Sequence, residues 1–258
     1  MARDRLTINS IPIDQGTGQS RERIHMSLKE QAALAAVDLV ENGMVLGLGT
    51  GSTATLVVRE IGRRLRAGAL RDLRGVPTSA AIARVAHEEA VPLLTLEDAP
   101  EIDLTIDGAD EVDPSWNLIK GGGGSLLREK IVAQATRREA IVVDESKLVE
   151  RLGRAFPLPL EVVPFGWGTQ IDFLRSLGAE ATLRRNADGT PFVTDEGHLT
   201  LDLAFRGPEG ERAISDLRRL DSTLRGRAGI VETGLFLGMT SILVVGRSGG
   251  PQILRKGE

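Results

Sequence analysis

The chain has 258 residues, 41% hydrophobic and 26% charged, with a formal net charge of −4, which suits one large or two small globular domains. It has no cysteine, excluding disulfides, thiolate nucleophiles and Cys-type zinc sites, and His25, His87 and His198 are scattered without metal-ligand spacing. No apolar run of about 18 residues exists to span a bilayer, no signal-peptide core follows Arg3, Asp4 and Arg5, and no basic run interleaves with aromatics, so a cytoplasmic protein without membrane or nucleic-acid partners is expected.

Residues 1 to 26 read as a polar arm with no usable hydrophobic period. Ser27 and Glu30 make a capping box, and Leu28, Ala32, Ala35, Ala36 and Leu39 recur at helical spacing until Asn42-Gly43 stops the helix. Met44 to Leu48 is a short buried strand that runs into Gly47-Leu48-Gly49-Thr50-Gly51-Ser52-Thr53, followed by a helical pattern at Val57, Ile61 and Leu65. A strand, a glycine-rich turn and a helix N-terminus suit an anion, because unpaired N–H groups and the helix dipole both favour negative charge. The same segment also reads as a plain βα turn, since it has neither the Gly-Lys-Ser/Thr of a Walker loop nor the full Gly-x-Gly-x-x-Gly spacing. Strands near Leu73 to Val76 and Leu93 to Leu96 flank a helix from Ala80 to about Glu89, with Pro77-Thr78-Ser79 as turn and cap. Leu104, Thr105 and Ile106 form another strand, which delivers Asp107 and Asp110 to its carboxyl end. This alternation predicts an α/β fold, a mostly parallel sheet with helices on both faces, whose ligands bind beyond the carboxyl ends of the strands.

The stretch from Asp107 to Lys130 holds most of the chemistry. After Leu118 and Ile119 come Lys120 and four glycines, which let the backbone approach a ligand closely or adopt positive φ. Ser125 then caps a helix carrying Glu129. Two acids, a lysine, free backbone donors and a further acid are the parts needed to move a proton beside a carbonyl. Only five lysines stand among 32 basic residues, and Lys120, Lys130 and Lys147 fall in or beside these segments, where a compact ammonium can meet a single oxygen. Lys147 follows an apolar strand, Ala140 to Val143, at the same kind of strand edge. Each also has a bland role open to it: Glu129 as a helix-entry acid, Asp107 and Asp110 as turn-formers, Lys147 as a solvated lysine.

Pro157, Pro159 and Pro164 suggest a domain boundary near residue 152. Beyond it the pattern becomes antiparallel α+β: a strand at Leu160 to Val163, a helix from Thr169 to Leu177, strands near Ala181 to Leu183 and Pro191 to Thr194, a turn at Asp195-Glu196-Gly197 into Leu199 to Ala204, and a helix from Glu209 to Leu220. Gly229 to Phe236 and Ser241 to Val245 read as buried strands that return to the first sheet. The expected division is an arm at 1–26, a parallel-sheet domain from 27–152 and 231–258, and a smaller α+β domain at 153–230.

Gly-Leu-Gly-Thr-Gly-Ser-Thr at 47 to 53, Asp-Gly-Ala-Asp-Glu at 107 to 111, Lys-Gly-Gly-Gly at 120 to 123, Arg-Glu-Lys at 128 to 130 and Phe-Pro-Leu-Pro-Leu-Glu-Val at 156 to 162 carry a resemblance. In that order, and over nearly everything after residue 27, the chain resembles the ribose-5-phosphate isomerases of the A type. The resemblance implies a Rossmann-like catalytic domain with a smaller inserted α+β domain, and interconversion of ribose 5-phosphate and ribulose 5-phosphate in the pentose phosphate pathway. It implies no metal and no cofactor, a sugar phosphate as the small-molecule partner, and a homodimer or homotetramer. Glu129 matches the family's proton acceptor, with Asp107, Asp110 and Lys120 as the other catalytic residues. Thr50, Gly51, Ser52 and Thr53, then Asp107, Gly108, Ala109 and Asp110, then Lys120, Gly121, Gly122 and Gly123, and finally Lys147 match its substrate-binding segments. On this reading Lys120 and the amides of Gly121 to Gly123 stabilise an enediolate, and Asp107 and Asp110 orient sugar hydroxyls. The phosphate lies on Ser52, Thr53 and adjacent amides, within reach of Lys29 or Lys147. A helix N-terminus favours the Glu129 carboxylate while a closed site disfavours it, so the sign of its pKa shift stays open, although a base working at pH 7 should be ionised. Three rivals remain. An amino-sugar phosphate deaminase or isomerase would use a histidine, and none lies in these motifs. A regulator's ligand-sensing domain would need a helix-turn-helix, for which residues 1 to 26 are too short, and a dehydrogenase would need the full glycine fingerprint.

Overall fold

The computed structural model describes residues 26–99, 101–205 and 213–257, so the arm expected at 1–26 lies outside the described residues except for Met26. Helix α1 (Leu28–Val37) opens on the expected capping box: the Ser27 hydroxyl accepts from the Glu30 amide and the Glu30 carboxylate accepts from the Ser27 amide. Strand β1 (Val45–Leu48) and helix α2 (Ser52–Arg66) follow, then β2 (Arg74–Pro77), α3 (Ala80–Glu88) and β3 (Leu104–Asp107). Two short strands, β4 (Glu111–Val112) and β5 (Leu118–Ile119), precede α4 (Leu126–Gln134) and β6 (Glu139–Asp144), which ends in a 3-10 turn at Glu145–Lys147. The second half holds β7 (Leu158–Val162), α5 (Gln170–Ser176), β8 (Ala179–Leu183), β9 (Leu199–Phe205) and α6 (Leu217–Arg225). It closes with β10 (Ile230–Thr233), β11 (Leu235–Phe236), β12 (Ile242–Gly246) and β13 (Gln252–Arg255).

The central sheet runs β13-β12-β6-β3-β1-β2 and is parallel except for β13. Its strands are apolar on both faces, as parallel strands covered on both sides must be. Ala140, Val142, Ile242 and Val244 join α1 and α2 in one core, while Ile141, Val143, Leu243 and Val245 pack on the other face with Ala133 of α4. Because β2 lies on one side of β1 and β3 on the other, a crevice opens beyond the carboxyl ends of β1 and β3. A separate antiparallel sheet, β10-β7-β9-β8, forms a subdomain with α5 and α6 around Leu160, Leu174, Leu201 and Leu224. The third sheet, β11-β5-β4, is shared between the two cores: Ile119 and Leu235 point into the subdomain's, Leu118 and Phe236 into the central sheet's.

Several expected elements change in context. The strand at Leu93 to Leu96 shrinks to a single bridge between Leu93 and Gly75, because the Thr95 hydroxyl binds Asp98 and turns the chain away. That at Pro191 to Thr194 leaves two isolated bridges, since Pro191 has no N–H to donate and Thr194 already belongs to the hairpin turn. The helix expected from Glu209 begins only at Leu217, where Asp216 caps the Arg219 amide; Ile214 instead bonds Leu152 through its backbone, and residues 206–212 lie outside the described set. The strand at Gly229 to Phe236 is split between two sheets at Gly234, and only β12 and β13 return to the central sheet. A Cβ at Gly234 would lie 2.4 Å from the Lys120 carbonyl, so this glycine lets β10 and β11 pass against the lysine's backbone.

Candidate active site

A cavity of about 140 Å³ fills the crevice. Its walls include Thr50, Gly51, Ser52, Thr53, Gly108, Ala109, Asp110, Lys120, Gly121, Gly122, Gly123, Glu129 and Lys147, so five separated segments converge on it, joined by Lys29, Val142, Val143 and Asp144. Asp107 is the one predicted site residue that does not line it.

At one end is the entry to α2. Gly51, at φ 100°, is the N-cap and supplies no side chain, and the first backbone bond of the helix runs from the Thr55 amide to the Gly51 carbonyl. The amides of Ser52, Thr53 and Ala54 therefore have no acceptor within the helix and are available to an anion. Lys29 reaches the same point from α1, donating to the Ser52 hydroxyl at 3.1 Å, and Lys147 approaches from the turn after β6. Thr50 is already committed to the protein: its amide donates to Asp107, and its hydroxyl shares hydrogen bonds with Thr78 and Ser79 at 2.8 Å each.

At the other end lies a buried charge cluster. Lys120 is 3% exposed; its ammonium donates to the Gly108 carbonyl at 2.6 Å and lies 2.9 Å from Asp107 and 3.4 Å from Glu129. Asp107 sits behind it, its other oxygen accepting from the Thr50 and Gly108 amides. Gly49 makes this possible, since a Cβ there would stand 2.2 Å from the Asp107 carboxylate. Burial works against the Lys120 charge, but Asp107 and Glu129 overcome it and raise its pKa, so the lysine stays protonated. Glu129 projects from α4, buried, with Oε2 facing the Lys120 ammonium and no closer partner among the described residues. Burial pushes its pKa up to about 8, Lys120 pulls against this, and Asp107 and Asp110 reinforce it. Burial is the largest of these causes, so the direction of the shift, which the sequence left open, is upward. Ser125 occupies the N-cap of α4 but its hydroxyl makes no capping bond, so that helix entry is set by packing instead.

Asp110 accepts from the Gly122 amide at 2.7 Å; its burial raises its pKa, with Gly122, Lys120, Lys147 and Arg184 opposing. A Cβ at Gly122 would lie 2.6 Å from that carboxylate, so the contact demands glycine. The Gly121 and Gly123 amides, in contrast, have no acceptor among the described residues. Two residues near the site escaped sequence reasoning. Glu139, at the start of β6, is buried with Oε2 unpartnered, and burial helped by Asp107 lifts its pKa well above the carboxylate range. Arg184, on the β8–β9 hairpin, donates to the carbonyls of Gly121 and Gly122 at 2.8 and 3.2 Å. Neither carries a local motif.

The described residues contain no group of three or more His, Cys, Asp or Glu arranged to hold a metal, and no helix among them is long and apolar enough to cross a membrane. The site therefore offers anion-binding amides and lysines at one end and a carboxyl beside a fixed ammonium at the other.

The family model described as ribose 5-phosphate isomerase A (phosphoriboisomerase A) matches residues 74–250. A ribose-5-phosphate isomerase A from Desulfatibacillum aliphaticivorans is 50% identical over 224 residues, covering 87% of this chain and 95% of its own. One from Chloroflexus aurantiacus is 53% identical over 224 residues, covering 87% and 91%. Among solved structures, a D-ribose-5-phosphate isomerase in complex with phospho-erythronic acid superposes with a TM-score of 0.84 at 37% identity, covering 89% of this chain and 98% of that one. With motifs, fold and near-full-length similarity in agreement, the chain belongs to the ribose 5-phosphate isomerase A family.

Proposed function

We propose that this protein interconverts D-ribose 5-phosphate and D-ribulose 5-phosphate through an enediolate, with Glu129 as the single base. The observation that carries the reading is the Glu129 carboxyl: buried, lining the cavity, with Oε2 facing the protonated Lys120 at 3.4 Å. With the sugar phosphate anchored on the Ser52 and Thr53 amides and hydroxyls and on Lys29 and Lys147, the open-chain C1–C2 unit lies toward Glu129. The carboxylate removes the C2 proton, the electron pair moves into the C1 carbonyl, and the same carboxyl returns the proton to C1 as O2 loses and O1 gains one. Each donor of Lys120 already faces Gly108, Asp107 or Glu129, so the lysine contributes its positive charge, and the Gly121 and Gly123 amides provide the open hydrogen bonds to the enediolate. Asp110, which lines the cavity, orients the sugar hydroxyls and assists ring opening, whereas Asp107 fixes Lys120 from behind. The phospho-erythronic acid bound by the solved relative pairs a carboxylate with a phosphate, the two anionic ends this cavity is equipped to receive.

The protein acts in the cytoplasm, in the non-oxidative pentose phosphate pathway, as a homodimer or homotetramer; residues 27–152 with β12 and β13 form its catalytic domain, and the inserted one runs from 153 through β10 to Thr233, past the boundary at 230 expected from the sequence, because β10 pairs with β7. The deciding experiment incubates purified protein with ribose 5-phosphate in deuterated water and follows ketose formation by NMR. Ribulose 5-phosphate that carries the substrate's C2 hydrogen at C1 in part of the product and solvent deuterium in the rest supports the single-base route, while absence of ketose ends the isomerase reading.

A further inference from the structure

The Gly121–Gly124 turn is made of the residue type that loses most freedom on ordering, with Gly121 at φ 103° and Gly124 at φ 79°. Its own hydrogen bonds are few: the Gly124 amide closes on the Gly121 carbonyl at 2.9 Å, and the Gly122 amide reaches Asp110. What holds it from outside comes from the antiparallel subdomain. Arg184 donates one guanidinium nitrogen to both the Gly121 and Gly122 carbonyls. Its other nitrogens are fixed in a bidentate pair with Asp202, and its plane lies 5.9 Å from the centre of the Phe192 ring. Phe192 also presses on the turn, since a Cβ on Gly124 would lie 2.3 Å from its ring. The hairpin is itself anchored to the central sheet, with Asp195 accepting from the Ala80 amide at 2.7 Å and Arg128, next to Glu129, paired to Asp195 and Glu196.

We propose that Arg184 is a positioning residue that, through two backbone carbonyls, holds the Gly121–Gly124 turn so that its free amides face the reacting oxygens and its Gly122 amide stays on Asp110. The antiparallel subdomain is then a working part of the site, although its residues do not line the cavity. The catalytic consequence rests on the isomerase reading above; the mechanical one does not.

The test compares Arg184→Met, which keeps length and removes every donor, and Arg184→Lys with the wild type in kcat, KM and amide hydrogen exchange across the ligand-free protein. Arg184→Met should lower kcat by about 10- to 100-fold with a much smaller change in KM, the penalty of misplaced oxyanion donors. Exchange at Gly122 and Gly124 should quicken roughly tenfold while the strands of the subdomain keep their protection. Millimolar guanidinium should restore part of the lost kcat in the Met variant, and Arg184→Lys should fall between. Should the Met variant fail to fold, Asp202→Asn, which loosens Arg184 without removing it, should show smaller effects of the same sign. Unchanged exchange at the turn, or loss of protection throughout the subdomain in both variants, overturns the proposal. A wild type that does not isomerise ribose 5-phosphate removes the isomerase reading alone, and exchange at Gly122 and Gly124 still decides whether Arg184 holds the turn.

Discussion

Glu129 and Lys120 show how two buried charges set each other's chemistry. The lysine keeps its proton because Asp107, and Glu129 when ionised, face it, and the glutamic acid gains affinity for a proton because burial outweighs the one cation beside it. A carboxyl that releases its proton near neutrality is a stronger base than an ordinary one, yet is still ionised in useful amounts. Replacing Glu129 by Gln keeps shape and removes proton acceptance, so kcat should fall by roughly 10²- to 10⁴-fold, with ligand affinity little changed and C2 exchange into deuterated water abolished. Near-normal exchange in that variant would move the base to Asp110. The pH dependence follows with a definite sign. In the free enzyme kcat/KM should climb with pH along a limb centred at about 8 as Glu129 ionises. For stability, the unfolded chain releases this proton near 4.5 and the folded one near 8, so the contribution of Glu129 is full below the first value and lost as pH rises through the second. The Gln variant does not titrate, and its melting temperature relative to wild type should therefore rise steadily between these pH values; a flat difference would contradict the upward shift.

At the scale of elements, the two ends of the cavity are helix entries used in opposite ways. The α2 entry is left uncapped by Gly51, which leaves three amides for an anion, while the α4 entry is buried so that a side chain one turn in can serve as an acid or base. Removing both the Ser52 and Thr53 hydroxyls should raise KM for ribose 5-phosphate by about 10²- to 10⁴-fold, because hydrogen bonds to a charged group contribute roughly 1.5–3 kcal/mol each. Inorganic phosphate should lose affinity as an inhibitor in parallel, and unphosphorylated ribose, expected to be a far poorer ligand, should be unaffected. Equal losses for ribose and its phosphate would make this turn merely structural.

Across the whole molecule, the central sheet and the subdomain are tied by buried charge as well as by the shared β11-β5-β4 sheet. Lys130, the neighbour of Glu129 on α4, lies 2.9 Å from Glu232 and donates to the Thr233 carbonyl of β10 at 2.6 Å. Glu111 does the same for the connecting chain, its fully buried carboxylate accepting from the amides of Gly153, Ala155 and Phe156 just before β7. Glu111→Ala would leave those donors without a partner and should cost roughly 2–5 kcal/mol in denaturant unfolding, with Glu111→Gln losing less. A change below about 0.5 kcal/mol would show that the connection is held by apolar packing alone.

Elements set by residues within a turn of one another were legible from the sequence: the Ser27–Glu30 capping box, the glycine turn before α2, the strand that ends on Asp107, and the alternation that put both loops at one sheet edge. Their physics is local, a cap or a φ value, and their order along the chain carried the family. What depends on sums over distant groups was decided by the tertiary structure. Asp107 and Asp110 look alike in Asp-Gly-Ala-Asp, yet one is sealed behind Lys120 and the other lines the cavity. The strand expected through Gly234 is divided between sheets by the backbone of Lys120, more than a hundred residues earlier. Arg184 meets the glycine turn across some sixty residues, a contact no short motif records. The direction of the Glu129 shift was undetermined for the same reason: the desolvation that dominates it exists only when the walls of the cavity have come together.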